Sequence, residues 1–311
     1  MSGVASLLLH AALMLAGAPL LAGVQARVHA RLLGRAGPPL AQPWRDLVRL
    51  WRKRPMLPGP ASWLFAGAPF ARLSTVLVAA LLVPSFALGM ATAPASDLLV
   101  LAGLLAFDRC ALALAGYETG TALGGMGASR ITLAAVWAAP ATVLVILLLT
   151  TLAGTSNLQA ICAALQERPP GLAVAWLPAA AALVIVGFAT ARRRQGGSPL
   201  ASMGDAAALE YSGPALAMVV LAEQVRVLVW ISLVAALVLP FGLAPAGAGP
   251  LAWGVGIAAW VVKAGILGAV MAVSDTATAE PAMARVPAAL GIAAALAFLA
   301  AVFLFASQGL A

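Results

Sequence analysis

The candidates for chemistry are seven ionisable side chains within or at the ends of long apolar runs: Asp97, Asp108, Arg109 and Glu118 in one, Glu223 and Arg226 in another, and Lys263 in a third. Charge at that depth in a hydrophobic segment is costly, so each is a candidate for moving protons or for a buried ion pair that glues helices together. Asp97, Asp108 and Glu118 follow one another at 11 and 10 residues. On a helix that places the first two on one face and the third roughly 60° away, with steps of about 15 Å. The three acids form a ladder from one end of the helix to the other, and water has to bridge its gaps if protons are to pass along it. Asp108 and Arg109 are neighbours in sequence, so their side chains leave the helix about 100° apart and are expected to serve different partners. Glu223 and Arg226, three apart, can pair on their own helix. Lys263 either keeps its charge against an acid from another helix, with Glu223 or Asp108 as candidates, or sheds it on burial.

Other chemistries find few residues. Cys110 and Cys162 are far apart, and His10 and His29 join no thiol or acid cluster, so no zinc or iron–sulfur ligand pattern is encoded. No strand precedes a glycine-rich nucleotide loop. Any redox cofactor is therefore expected in partner subunits.

The elements that must position the charged residues are membrane spans. Hydrophobic residues make up 63% and charged residues 9% of the chain, and the mean hydropathy of +1.02 excludes a soluble domain with a water-facing surface. Runs of about 20 apolar residues cross a hydrocarbon core roughly 30 Å thick. Such runs lie near 4–24, 70–90, 98–117, 132–153, 171–190, 215–239, 251–273 and 287–306. They are too long and too uniformly apolar for barrel strands. The expected fold is an all-α integral membrane protein, a bundle of eight transmembrane helices in one membrane domain spanning 1–311.

Basic residues set the orientation. Arg27, Arg31, Arg35, Arg45, Arg49, Arg52, Lys53 and Arg54 follow the first run, Arg130 the third, Arg192 to Arg194 the fifth, and Arg285 the seventh, whereas the opposite loops hold Arg168 alone. Both termini are expected outside, with cytoplasmic segments at 25–69, 118–131 and 191–214, in the cytoplasmic (inner) membrane of a bacterium or archaeon. The first run lacks a basic segment ahead of it and reads as a retained helix. The net charge of +8 is then explained by anchoring to anionic lipid and not by nucleic acid.

The three inside segments carry distinctive strings. The first, Gly37 to Phe65, is closed by prolines and mixes Trp44, Leu47, Val48, Leu50 and Trp51 with Arg45, Arg49, Arg52 and Lys53, which suits a helix lying in the membrane interface. The second, Gly116 to Arg130, holds five glycines that allow tight turns or close approach of a neighbour, with Glu118 and Arg130 near the helix ends. The third brings Glu210 and Tyr211 to the start of the sixth run.

These strings resemble one family, the membrane subunit of formate hydrogenlyase and hydrogenase-4-type complexes, related to the quinone-chamber membrane subunit of respiratory NADH:quinone oxidoreductase. The residues that carry the resemblance are QPWRDL at Gln42 to Leu47, ASWLF at Ala61 to Phe65, GGMGASR at Gly124 to Arg130, EYSGP at Glu210 to Pro214, Ala222–Glu223, and Arg285–Val286–Pro287. GGMGASR and ASWLF look more like the hydrogenase branch.

The resemblance implies a subunit that docks a cytoplasmic electron-transfer arm onto antiporter-like membrane subunits, and is inactive alone. Gln42, Trp44, Arg45, Asp46, Gly124, Gly125, Arg130, Glu210 and Tyr211 become candidate docking residues. The expected partners are hydrogenase-like large and small subunits, which would hold the Ni–Fe and Fe–S clusters, and antiporter-like subunits alongside. Relatives carry an acid after the arginine of GGMGASR and another before the proline of the fourth run, where this chain has Ile131 and Ala139. That difference weakens the expectation of proton pumping, and in the loop before EYSG, where NADH-linked relatives carry several acids, this chain has Gly204–Asp205–Ala206–Ala207–Ala208 and the basic triplet Arg192 to Arg194, which argues against a respiratory-type quinone cavity. Two other readings remain open: a true quinone-chamber subunit, which needs a lipid-accessible cavity beside Trp44 to Trp51, and a self-sufficient transporter, for which the chain shows no inverted repeat.

Overall fold

The computed structural model describes residues 2–56, 62–167, 176–191, 207–277 and 282–309. Arg168, Arg192 to Arg194, the start of the ASWLF string and the Gly204–Asp205–Ala206 stretch lie outside the described residues, as does the side chain of Arg285. Within the described residues the chain is helical and forms no strand beyond two isolated bridges, Ala87 with Ala244 and Asp97 with Asn157.

Among the described residues ten α-helices follow in order: α1 Ser2–Leu32, α2 Gln42–Trp51, α3 Trp63–Leu82, α4 Leu98–Glu118, α5 Ala122–Ala153, α6 Leu158–Glu167, α7 Trp176–Ala191, α8 Gly213–Val238, α9 Pro250–Ala277 and α10 Ala282–Gly309. Seven of them (α1, α3, α4, α5, α8, α9 and α10) are long and apolar enough to cross a membrane. The fifth expected run, 171–190, is represented among the described residues by the shorter α7.

The bundle is organised around α8. Every residue from Ala222 to Leu237 is buried, and α1, α3, α7 and α9 all pack against this helix. The remaining spans close outward through the pairs α3–α4, α4–α5, α5–α10 and α10–α7. Because α8 has no lipid-facing side, a charge on it is buried in protein on all sides. The outer helices expose large apolar side chains such as Val136, Ile266 and Phe298, as a lipid-facing surface requires.

Several boundaries differ from the hydropathy runs. The run expected to reach residue 90 stops at Leu82, because Pro84 has no N–H to offer the Ala80 carbonyl. The stranded carbonyls of Ala80, Leu81 and Leu82 instead face His10 Nε2 at 2.8 Å, Thr92 Oγ1 at 2.8 Å and Ser96 Oγ at 2.6 Å. His10 Nδ1 lies 2.7 Å from Ser85 Oγ. With Nε2 donating to a carbonyl, the neutral ring has Nδ1 free to accept from that hydroxyl.

The glycine-rich segment is not a loop. Only Thr119–Thr121 separate α4 from α5, and Gly124, Gly125 and Gly127 lie in the first turns of α5. Thr121 caps α5 by accepting from Gly124 N at 2.9 Å. The glycines let two antiparallel helices touch: a Cβ on Gly116 would stand 3.0 Å from the Gly124 carbonyl, and one on Gly124 would stand 2.7 Å from the Gly116 carbonyl.

Candidate functional site

A largely buried five-residue ion network is shared by α3, α4 and α8. Asp108 is fully buried, and Arg72 and Arg226 are each 1% exposed. Arg72 donates Nε to Asp108 Oδ1 at 2.7 Å and Nη2 to Glu223 Oε2 at 3.2 Å. Glu223 Oε1 also accepts from Arg226 Nη2 at 2.6 Å and from Arg109 Nη2 at 3.1 Å. Arg226 Nε stands 3.7 Å from Asp108 Oδ2. The Thr190 carbonyl on α7 accepts from both Arg109 and Arg226, at 3.1 and 2.7 Å. Among the described residues, three guanidinium groups thus surround two carboxylates, and α7 is tied in through its backbone.

Two carboxylates within reach of one guanidinium repel one another less than bare neighbours would, because the arginine fork places donors at both. The arrangement is stable only as a set: isolating any one charge here leaves it in a low-dielectric interior without its counter-ion. Asp108 and Arg109 serve one network and not two, since the long arginines on α3 and α8 cover the angle between them. Glu223 and Arg226 lie side by side on α8.

Arg72 escapes a reading of the sequence alone. It falls near the start of an expected span, where a basic residue passes for an interfacial anchor; the signal lies in its position one helical turn beyond Pro69, inside apolar sequence on both sides.

The other members of the acid ladder sit elsewhere. Asp97 is the N-cap of α4, accepting from Leu99 N at 2.7 Å and from the Ser156 hydroxyl. Its hydrogen bond from Ser156 holds the carboxyl below its ordinary range, aided by backbone donors and opposed by partial burial. Glu118 ends α4 and accepts from Ser62 N at 2.7 Å. The ladder therefore has one fully buried rung, Asp108, with two terminal acids that fasten loops.

Lys263 meets neither Glu223 nor Asp108. Its ammonium donates to the Leu239 carbonyl at 2.7 Å and to the Phe241 carbonyl, and lies 4.3 Å from the centre of the Phe241 ring. Backbone carbonyls freed where α8 ends take the place of the expected acid.

At the end of the bundle that carries α2, the candidate docking residues are linked to the same helices. Tyr211 stacks on Phe65 of α3, ring centres 4.2 Å apart, and donates its hydroxyl to the Phe65 carbonyl at 3.0 Å. Burial pushes the Tyr211 phenol above its ordinary range, Arg72 pulling the other way. Glu210 accepts from Thr121 in the α4–α5 turn. Ser212 Oγ accepts from Met56 N at 2.8 Å and donates to Met56 O at 3.1 Å. Gly213 then starts α8 at φ +57°, with the Arg54 carbonyl 2.9 Å from where a Cβ would stand.

On α2, Gln42 donates to Asp46 at 2.9 Å, Asp46 and Arg49 stand 3.8 Å apart on the surface, Leu47 is buried, Trp44 is half-buried and Arg45 is exposed. Gly124 is buried, and Gly125 and Arg130 lie further along α5, half-exposed. No group of three His, Cys, Asp or Glu side chains positioned to share a metal ion occurs among the described residues.

The comparisons with known proteins agree on one lineage. The family model described as NADH dehydrogenase matches residues 4–306. Hydrogenase-4 component C of Escherichia coli (strain K12) is 31% identical over 246 residues, covering 76% of each chain. Formate hydrogenlyase subunit 4 of the same organism is 30% identical over 183 residues, and there the match spans 59% of each chain. Among solved structures, a chain of the membrane-bound sulfane sulfur reductase, an archaeal respiratory membrane complex, superposes with a TM-score of 0.74 at 19% identity, covering 95% of this chain and 99% of that one. The last likeness establishes the fold. The chain is a multi-pass, all-helical member of the NADH dehydrogenase family of membrane subunits, related to those of hydrogenase-4 and formate hydrogenlyase.

Proposed function

We propose that this chain is the membrane-anchoring and coupling subunit of a hydrogenase- or formate-hydrogenlyase-like complex. It docks a cytoplasmic electron-transfer arm of hydrogenase-like large and small subunits, which hold the Ni–Fe and Fe–S centres, onto antiporter-like membrane subunits in the inner membrane, with both its termini outside. The observation that carries this reading is that residues fastened together at the α2 end of the bundle stand on the same three helices as the buried ion network. Tyr211 grips α3 seven residues from Arg72, Glu118 terminates the helix that holds Asp108 and Arg109, and Gly213 opens the helix that holds Glu223 and Arg226. A shift of a docked partner is thereby passed to the three helices whose charges meet in the core. Rearranging those ion pairs changes the field along the bundle and the affinity of its acids for protons, which is the physical basis for a contribution to proton translocation.

The test is Glu223→Gln in the assembled complex. Coupled proton movement is expected to fall more than complex recovery does; equal loss of both would reduce Glu223 to a structural brace. A mild-detergent pull-down with mass spectrometry and metal analysis tests the partners: hydrogenase-like subunits with iron support the reading, and an isolated chain sinks it. The family's NADH branch keeps a quinone-chamber reading in view, and photolabelling of Trp44 to Trp51 by a quinone analogue would support it.

A further inference from the structure

Where α8 ends, the five residues Leu239 to Leu243 leave the helix at a proline and turn through Gly242, whose φ is +80° and whose Cβ position would stand 2.8 Å from Ala259. Phe241 and Gly242 are exposed and Leu243 is buried, and those carbonyls of the turn that point toward the bundle need protein groups to satisfy them. Here two side chains do so. Lys263 Nζ takes the carbonyls of Leu239, at 2.7 Å, and Phe241. Gln166 Nε2 takes those of Pro240, at 3.0 Å, and Leu243, at 3.1 Å.

The surroundings of the Lys263 ammonium are those of a bound cation and not those of an ion-pair partner. It has convergent carbonyl oxygens from an unwound segment, the negative end of the α8 dipole, and the face of the Phe241 ring at 4.3 Å. Unwound carbonyls and helix C-termini are what membrane proteins use to coordinate alkali cations. No carboxylate lies within ion-pair distance of Lys263 among the described residues. Gln166 holds two more of the five carbonyls, so the cradle does not depend on the lysine alone for its shape.

We propose that the Leu239–Leu243 turn is a monovalent-cation site which the chain fills with the tethered ammonium of Lys263, and which takes a free alkali cation or small primary alkylammonium when that ammonium is removed. The site is separate from the ion network of Arg72, Asp108 and Glu223.

The experiment uses the complex purified with its partner subunits, carrying Lys263→Ala or Lys263→Met, with thermal unfolding measured at one ionic strength in choline, sodium, potassium or ethylammonium chloride. The wild type is expected to unfold at the same temperature in all four salts. Lys263→Ala is expected to unfold several degrees lower in choline and to recover most of the difference in sodium, potassium or ethylammonium, because a ligand that binds only the folded state raises its stability by mass action. Lys263→Met, which refills the space without a charge, should stay low in every salt. Lys263→Ala that is indifferent to the cation, recovery of Lys263→Met by the same salts, or failure of Lys263→Ala to assemble in all of them would each overturn the site.

Discussion

Arg72 on α3 and Asp108 on α4 are locked together in the core of the bundle, Nε to Oδ1 at 2.7 Å and Nη2 to Oδ2 at 3.4 Å, with neither side chain accessible beyond 1%. The pair is the hinge of the larger network, because the same guanidinium also reaches Glu223 on α8. Removing either one takes from the other its shortest contact and leaves it only the longer ones, Arg226 Nε at 3.7 Å for Asp108 and Glu223 at 3.2 Å for Arg72. Removing both leaves Arg109 and Arg226 on Glu223 and the net charge of the network unchanged.

Arg72→Met and Asp108→Leu are therefore each expected to destabilise the subunit by about 3–5 kcal/mol, the usual cost of leaving a buried charge unpaired, and the double substitution to cost far less than their sum. A double-mutant cycle read by thermal unfolding of the assembled complex measures this. Additive losses would show that the two residues act independently despite the contact.

Gly213 gives a sharper backbone prediction. Its φ of +57° and the Arg54 carbonyl 2.9 Å from a notional Cβ mean that Gly213→Ala meets both a conformational penalty of about 1–2 kcal/mol and a contact that the backbone of 54 has to yield to. The expected result is weaker complex assembly with an intact membrane bundle, since the strain falls where the α2 end meets α8. Unchanged recovery of partner subunits in the same pull-down would remove Gly213 from the coupling surface.

Much of this architecture follows from hydropathy, and the exceptions share a cause. Long apolar runs mark spans because lipid leaves the backbone few alternatives. The 116–130 glycines read as a loop because glycine weakens isolated helices, yet two helices in contact gain more from their close approach at Gly116 and Gly124 than the glycines lose. Lys263 calls for an acid on sequence grounds because a charge in lipid needs a counter-charge, but carbonyls of a broken backbone serve the same end, and no residue pattern announces where a neighbouring helix will unwind. Pro84 is the legible stop signal for α3.

The carbonyl freed by Pro84 makes His10 a structural test case. His10 is fully buried between Ala80 O and Ser85 Oγ. Replacing it with Phe keeps the volume roughly and strands the carbonyl, an expected loss of about 1–3 kcal/mol. His10→Gln, which keeps one donor, should recover part of it. Equal unfolding temperatures for the two variants would mean that the ring's packing, and not its hydrogen bond, holds α3 in place.

Asp97 sets the acid sensitivity of the α4 start. Because Ser156 and the backbone of α4 favour the carboxylate, its folded pKa lies below the value of about 3.9 typical of an unfolded chain. A depressed carboxyl stabilises the fold at pH values above the unfolded pKa, and that contribution fades as the pH falls through the folded one. Asp97→Asn still caps the helix but carries no titrating group. Between about pH 6 and about pH 3, which bracket the free-carboxyl range, the wild type is expected to lose more unfolding temperature than the variant. Parallel curves would place the acid sensitivity of the subunit elsewhere.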